Sequence, residues 1–443
     1  MTIPNATQLL TARSAEFKRE IIQVAEGVYS SHGYAVSVVG IIVGTDGIVL
    51  VDTGMDPVSA EALLTDMRKI SDLPIAAVLF THSHPDHIGG LPTFLKEGVG
   101  QIWGRDNFGA EMRDFVSVGL TVQGPRGVRQ GGFKLPPEKR INNGIAQAYY
   151  PQRKNPFAAP DGKPAAVGSP RPPATKVELT HRVSQPRQTL EIAGIKIELV
   201  ATVGETHDHL YVWLPETGVL FCGDNYYKSW PNLYPIRGSV YRDIQGWINS
   251  LGMMIDQKAN VLVAGHTRPL IGADVVEANL TLYRDGIQYI FEETIAGMNR
   301  GLTPDQLVAT IELPERFQGK DSLRPYYGHP DWAIRAIFAH YMGWFDGNPV
   351  NLFDLTPVEE AQEMAEMAGG AAQLLIKAQQ AHADGRHVWA AKLCDHLLAL
   401  DSTAAPPKRL KADALDAIGE TVLSGIGRNY YFTVAQELRT SAQ

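Results

Sequence analysis

The stretch VLFTHSHPDHIGG, residues 78–90, carries three histidines and an aspartate within six positions. His82, His84, Asp86 and His87 follow directly on the apolar run 75–80, which reads as a short buried strand. On a helix, side chains two apart point away from one another. On a loop leaving a strand they converge. Imidazole and carboxylate suit zinc, manganese or iron better than magnesium or calcium. Four such ligands so close together crowd a single tetrahedral ion with an open position, so two adjacent ions are the natural reading.

Working outward, AVSVVGIIVG (35–44) and GIVLVDTG (47–54) are apolar runs separated by Thr45-Asp46-Gly47, the pattern of a hairpin. PVSAEALLTDMRKI (57–70) spaces Leu63, Leu64 and Met67 as a helix does. Strand, strand, helix, strand and loop in that order predict helices packed on sheets. From about 120 to 180 the chain is rich in Pro and Gly with little periodicity. We expect an irregular excursion that shapes a pocket or a subunit contact. Alternation returns in LEIAGIKIELVAT (190–202) and in a second hairpin turning at Glu216-Thr217-Gly218. After NVLVAGH (260–266) the pattern turns helical, and from Thr356 it predicts three or four helices.

The chain has 443 residues, 44% hydrophobic and 20% charged, with a net charge of −8. Two or three domains fit that length. No Lys/Arg block occurs, which argues against nucleic acid as a partner. The two cysteines, Cys222 and Cys394, are too few for a disulfide framework or a Cys-rich zinc module. No apolar run is long enough to span a bilayer, and no basic-then-apolar leader is read near the first residues. A cytoplasmic protein is therefore expected.

The THSHPDH motif resembles the metallo-β-lactamase superfamily. LVDTG resembles that family's second-strand pattern, which implies that Asp52 supports the metal loop from behind. The family's next ligand position, usually His, corresponds here to Glu205 in VGETHDH. A glutamate there resembles the alkylsulfatase branch, although His207 and His209 compete for the role; His209 also matches a nearby structural histidine of many members. The bridging carboxylate corresponds to Asp224, nineteen positions on, where the branch commonly has Glu, and the last ligand to His266. IRGSVYRDIQGW, WFDGNP and the closing AQELR also resemble the branch, so the likeness covers most of residues 20–440.

The resemblance implies an α/β architecture: an αββα sandwich over residues 1–275, then an all-α dimerisation region over 276–443. It implies two Zn2+ per chain. His82, His84 and Glu205 take the first, Asp86, His87 and His266 the second, and Asp224 bridges them. Asp86, Asp224 and Arg237 are the expected catalytic residues. A small anionic ester needs a fixed cation, and Arg237 suits it because a guanidinium forks two donors onto an oxyanion. Asn232 and Tyr234 are expected to add hydrogen bonds. Tyr226, Tyr227 and Trp230 either wall an apolar tail site or belong to the core. His329 and His340 are expected to be packing or surface residues.

The predicted activity is hydrolysis of a sulfuric ester, an alkyl sulfate first. Another ester (lactone, phosphoester or β-lactam) would use the same site. A non-catalytic binding protein would be expected to have lost ligands, and all seven positions hold competent types. A homodimer is expected through the helices 371–441, whose Leu374, Leu375, Leu393, Leu397 and Leu398 exceed what a short appendage buries alone.

Overall fold

The computed structural model describes residues 5–147 and 176–443. The first sheet runs in chain order through β1 (Glu20–Ala25), β2 (Val28–His32), β3 (Val39–Val43), β4 (Ile48–Val51), β5 (Ile75–Leu79), β6 (Gln101–Arg105) and β7 (His181–Val183). The second runs through β8 (Arg187–Ile192), β9 (Ile195–Ala201), β10 (Leu210–Leu214), β11 (Val219–Gly223), β12 (Val261–Ala264) and β13 (Leu270–Ile271). Both expected hairpins form: Gly40 pairs with Val51, and Val212 with Phe221.

Strand alternation builds the layers. In β4, Val49 and Val51 point into the core between the sheets, while Ile48 and Leu50 point outward. The inter-sheet core joins Val49 and Leu79 to Leu199, Val212, Phe221 and Val263. After a short N-terminal helix α1 (Ala6–Arg13), α2 (Pro57–Met67), α3 (Pro85–Ile88) and α4 (Leu91–Leu95) flank the first sheet. Leu63 and Met67 of α2 and Phe94 of α4 cover its outer face. Asp56 caps α2, accepting the Ser59 N–H at 3.0 Å, and Pro57 occupies the first turn.

Two further helices follow, α5 (Ala110–Ser117) and α6 (Gln123–Gln130), the second lying inside the Pro/Gly-rich excursion that was expected to be irregular. Of that excursion, expected over about 120–180, residues 148–175 lie outside the described residues. The outer face of the second sheet is covered by α7 (Ile244–Asp256), α8 (Ala273–Asn299), α9 (Pro304–Thr310) and α10 (Pro330–Met342). Trp247, Leu280, Leu307 and Ile337 of these helices share one hydrophobic cluster with Tyr211 and Leu262 of the strands. The fold is therefore helix, sheet, sheet, helix, followed by a helical C-terminal region.

That region contains five helices rather than three or four: α11 (Pro357–Ala368), α12 (Ala371–Ala383), α13 (His387–Leu400), α14 (Ala405–Thr421) and α15 (Gly425–Ser441). Thr356 opens the first with a reciprocal Thr–Glu cap, and Ser424 caps the last. The leucines read as interface residues pack within this array instead. Leu374, Leu393 and Leu397 are buried against Ala365, Ala378 and Cys394, and Leu375 and Leu398 are half-buried. Among the described residues, no helix is long and apolar enough to cross a membrane.

Candidate metal centre

β4 and β5 run parallel, as do β11 and β12, so their C-terminal ends meet at one edge of the sandwich. Asp52 follows β4, the histidine loop follows β5, Asp224 follows β11 and His266 follows β12. Glu205 lies on the loop after β9. Seven side chains separated by up to 184 positions thus collect in two groups. His82, His84, Glu205 and Asp224 form one, and Asp86, His87 and His266 the other; within each, one ligand-type atom per residue lies within 4.8 Å of the rest.

Asp224 spans the two groups. Its Oδ1 lies 3.2 Å from His87 Nε2, and its Oδ2 lies 3.0 Å from His266 Nε2 and 3.7 Å from His82 Nε2. Asp86 Oδ2 stands 3.8 Å from His87 Nε2 and 3.7 Å from His266 Nε2. His84 Nδ1 is 3.6 Å from Glu205 Oε2 and 3.0 Å from His82 Nε2. Room for Asp224 depends on Gly265, where a Cβ would stand 2.2 Å from Asp224 Oδ1.

Outer contacts fix the ring orientations. Asp52 adopts φ 61° after β4, and its Oδ2 accepts from His87 Nδ1 at 2.7 Å. The same carboxylate accepts the Thr81 N–H and hydroxyl, both at 2.8 Å, which ties it to the start of the loop. His266 Nδ1 donates to the Val36 carbonyl at 2.9 Å. His82 Nδ1 lies 3.0 Å from Thr81 Oγ1. In these three histidines the Nδ1 nitrogens face outward and the Nε2 nitrogens turn to the centre, the arrangement that orients metal-binding imidazoles.

Donor chemistry and orphaned atoms fit a cation. His87 Nε2 and Asp224 Oδ1 are buried and, although 3.2 Å apart, make no well-aligned hydrogen bond among the described residues. Such atoms are costly unless something compensates them. Burial would raise the Asp224 carboxyl, but His266 and His87 hold it well below the usual carboxylate range. His209, buried behind the centre, is pushed down to about 3 by burial. It stacks on His82 with ring centroids 5.1 Å apart, and its Nε2 accepts the Asp224 N–H at 3.1 Å. Exposed His207 is placed otherwise: its carbonyl accepts from Asn107 Nδ2.

A cavity of about 250 Å³ opens over the centre. His84, Asp86, Glu205, Asp224 and His266 lie in its wall together with Arg237 and Tyr327. Arg237 Nη1 donates to the Gly238 carbonyl at 3.1 Å, and its backbone N–H to Gln130 Oε1 at 3.2 Å. Among the described residues no carboxylate pairs with it. Burial, and then the neighbouring Arg242, make its charged form less favourable than in water.

Other expected positions fall elsewhere. Tyr234 is exposed and outside the cavity wall. Asn232 is buried behind the wall, where its Nδ2 donates to the Tyr327 hydroxyl at 3.1 Å. Tyr226 and Trp230 belong to the core. Tyr227, also fully buried, turns its hydroxyl onto Glu205 and, at 3.1 Å, onto Asp224. His329 caps α10, and exposed His340 stacks on Tyr241. Arg242 is wholly buried and donates to Glu205, a role that no local pattern announces.

Residues 33–266 match the metallo-β-lactamase superfamily, and residues 303–441 match a family described as alkyl sulfatase dimerisation. A linear primary-alkylsulfatase from a Pseudomonas species is 32% identical over 400 residues, covering 89% of this chain and 72% of that protein. The chain belongs to the alkylsulfatase family of the metallo-β-lactamase superfamily. An (R)-specific secondary-alkylsulfatase from Pseudomonas is 29% identical over 95% of this chain and 62% of that one. Among solved structures, the stereoselective inverting sec-alkylsulfatase Pisa1 from Pseudomonas superposes with a TM-score of 0.82 at 28% identity. That match covers 100% of this alkylsulfatase-family chain and 69% of the other. The chain thus spans between 62% and 72% of the length of these relatives.

Proposed function

We propose that this chain is a dinuclear-zinc hydrolase of sulfuric esters, alkyl sulfates first, releasing an alcohol and sulfate. The observation that carries the reading is Arg237, a guanidinium in the wall of the same cavity as the histidine and carboxylate groups, with no carboxylate partner among the described residues. A sulfate monoester keeps its single negative charge throughout the neutral range, so a permanent cation suits it better than a titrating one. The curated relatives that act on alkyl sulfates point the same way.

In this reading His82, His84 and Glu205 would hold one ion and Asp86, His87 and His266 the other, with Asp224, which lies between the two groups, available to both. When bound, such a pair acidifies water and stabilises negative charge on ester oxygens. The chain supplies the rest. Asp52 and the Val36 carbonyl keep His87 and His266 aimed inward. Tyr227 holds Glu205 and Asp224 in register with one hydroxyl. Arg237 receives the sulfate oxygens, and its fork fits two of them. The Tyr327 hydroxyl accepts from Asn232 and so keeps its own proton for an acceptor in the cavity. Met112, Phe115, Phe133 and Ile145 offer an apolar wall to an alkyl chain.

The assembly in this proposal is a homodimer. Support comes from the dimerisation-family match and from an exposed apolar run: Tyr341, Met342, Trp344, Val350, Phe353 and Leu355 are all more than half exposed. Patches of this kind on a soluble chain mark contact surfaces. The interface is therefore assigned to this run before α11, not to the leucines of α12 and α13.

A hydrolysis panel on zinc-loaded protein tests the function. Alkyl sulfates of several chain lengths should turn over far faster than phosphate monoesters, lactones or a β-lactam. Preferred turnover of any of the others would overturn the sulfate reading.

A further inference from the structure

We infer that Arg242 is the positioning residue of Glu205, and that the pair decides which side chain can serve at position 205. The inference rests on the reading of Glu205 as a metal ligand. The two site arginines have different tasks. Arg237 is in the cavity wall without a carboxylate, whereas Arg242 is outside the wall, 3% exposed, and paired with Glu205. Arg242 Nη1 donates to Glu205 Oε1 and, at 2.6 Å, to the Asn232 carbonyl. Its Nε and Nη2 are buried without hydrogen-bond partners among the described residues. Among the described residues Glu205 is its one ion-pair partner.

Both oxygens of Glu205 are therefore assigned. Oε1 belongs to Arg242; Oε2 takes the Tyr227 hydroxyl and faces His84 Nδ1 at 3.6 Å. The carboxylate is held in one orientation and can offer the first ion group a single oxygen. The dependence also runs the other way. A guanidinium does not shed its proton, so a buried one needs a negative partner. A histidine at 205, however competent as a ligand, would leave Arg242 charged, buried and alone. The glutamate is thus required by Arg242 as well as by the ion.

The test uses the full chain, stripped by chelation and titrated with Zn2+ and with Co2+, with the thermal midpoint of the apo and loaded forms measured beside it. The parent should load two ions. Arg242→Met should weaken the first group about 10–100-fold, the usual cost of losing an outer partner of a ligand, and leave the second unchanged. Arg242→Lys, which keeps the charge, should recover part of that loss. Glu205→His should lower the apo midpoint, and Glu205→His with Arg242→Met should restore it while still binding Co2+ with an altered visible spectrum. Arg242→Met that loads both ions with parent affinity overturns the inference. So does a double variant no more stable than Glu205→His alone, an arm that remains decisive if Arg242→Met does not fold. A parent that loads one ion defeats the dinuclear reading instead, and the stability comparison still decides on Arg242.

Discussion

Replacing Arg237 by alanine removes the cation that the proposed substrate needs, and the expected loss follows from its surroundings. The guanidinium spends one donor on the neutral Gly238 carbonyl and, among the described residues, has no carboxylate to give up when an anion arrives. Burial and Arg242 already disfavour its charge, so an incoming sulfate relieves an existing penalty rather than creating one. A hydrogen bond to a charged group contributes about 1.5–3 kcal/mol, and two imperfectly additive bonds give about 2–4 kcal/mol in the transition state. At about 1.36 kcal/mol per decade, kcat/KM for an alkyl sulfate should fall roughly 30- to 900-fold. Arg237→Lys keeps the charge without the fork and should fall between parent and alanine. The assay is initial-rate release of inorganic sulfate, with metal content and thermal midpoint measured on the same samples. Both should match the parent, and hydrolysis of a neutral aryl ester, where detectable, should change little. An Arg237→Ala protein that hydrolyses alkyl sulfates at the parent rate refutes the anion clamp.

Elemental analysis of protein purified without chelator should approach two zinc per chain. Loading should weaken as pH falls through the histidine range, because the ligand imidazoles must be neutral to bind. Glu205→Ala should lose one ion and nearly all sulfatase activity while His207→Ala stays mild; the reverse ranking would move the ligand role to His207. Gly265→Ala places a Cβ 2.2 Å from Asp224 Oδ1 and should displace that carboxylate, lowering metal content more than the thermal midpoint. Trp344→Asp with Phe353→Asp should convert a dimer near twice 48.5 kDa into a monomer by light scattering, whereas a parent that is already monomeric refutes the assembly. Burial, with Arg268 and Lys228 nearby, depresses His32 to about 3. Its unfolded form binds a proton below about 6.5, so stability should fall by up to about 1.4 kcal/mol per pH unit between roughly 6.5 and 3. His32→Gln should flatten that acid limb in urea titrations, and an unchanged slope would exclude His32 as its source.

Some of this site was legible without coordinates because its parts are local. His82 and His84 lie on the loop after β5, and Asp86 and His87 on the single turn of α3 that follows it rather than on the loop expected for all four, so one short segment still brings the four together. Asp52 and His266 were reached through the resemblance of LVDTG and AGH to a known family's motifs; the fold supplies the physical reason, since β4 and β5 run parallel, as do β11 and β12, and deliver their C-terminal ends to the same edge. The two hairpins were legible for the same reason, since alternation and a Gly-bearing turn fix their register over a few residues.

What needed the tertiary structure is whatever depends on a distant partner. Periodicity marked Leu374, Leu393 and Leu397 as an apolar face but not what covers it, and α11, α13 and α14 of the same chain do. The exposed Trp344 and Phe353 carry the same hydrophobic label in the sequence as any core residue, and only packing leaves them uncovered. Tyr327 stands 95 positions from Asn232, and Arg242 stands 37 positions from Glu205. The spacing of His82, His84, Asp86 and His87 determined that four ligand-type side chains would gather after one strand. Which of two guanidiniums five residues apart lines the cavity and which pairs with Glu205 was decided by the tertiary structure, because the two differ only in what the fold sets beside them.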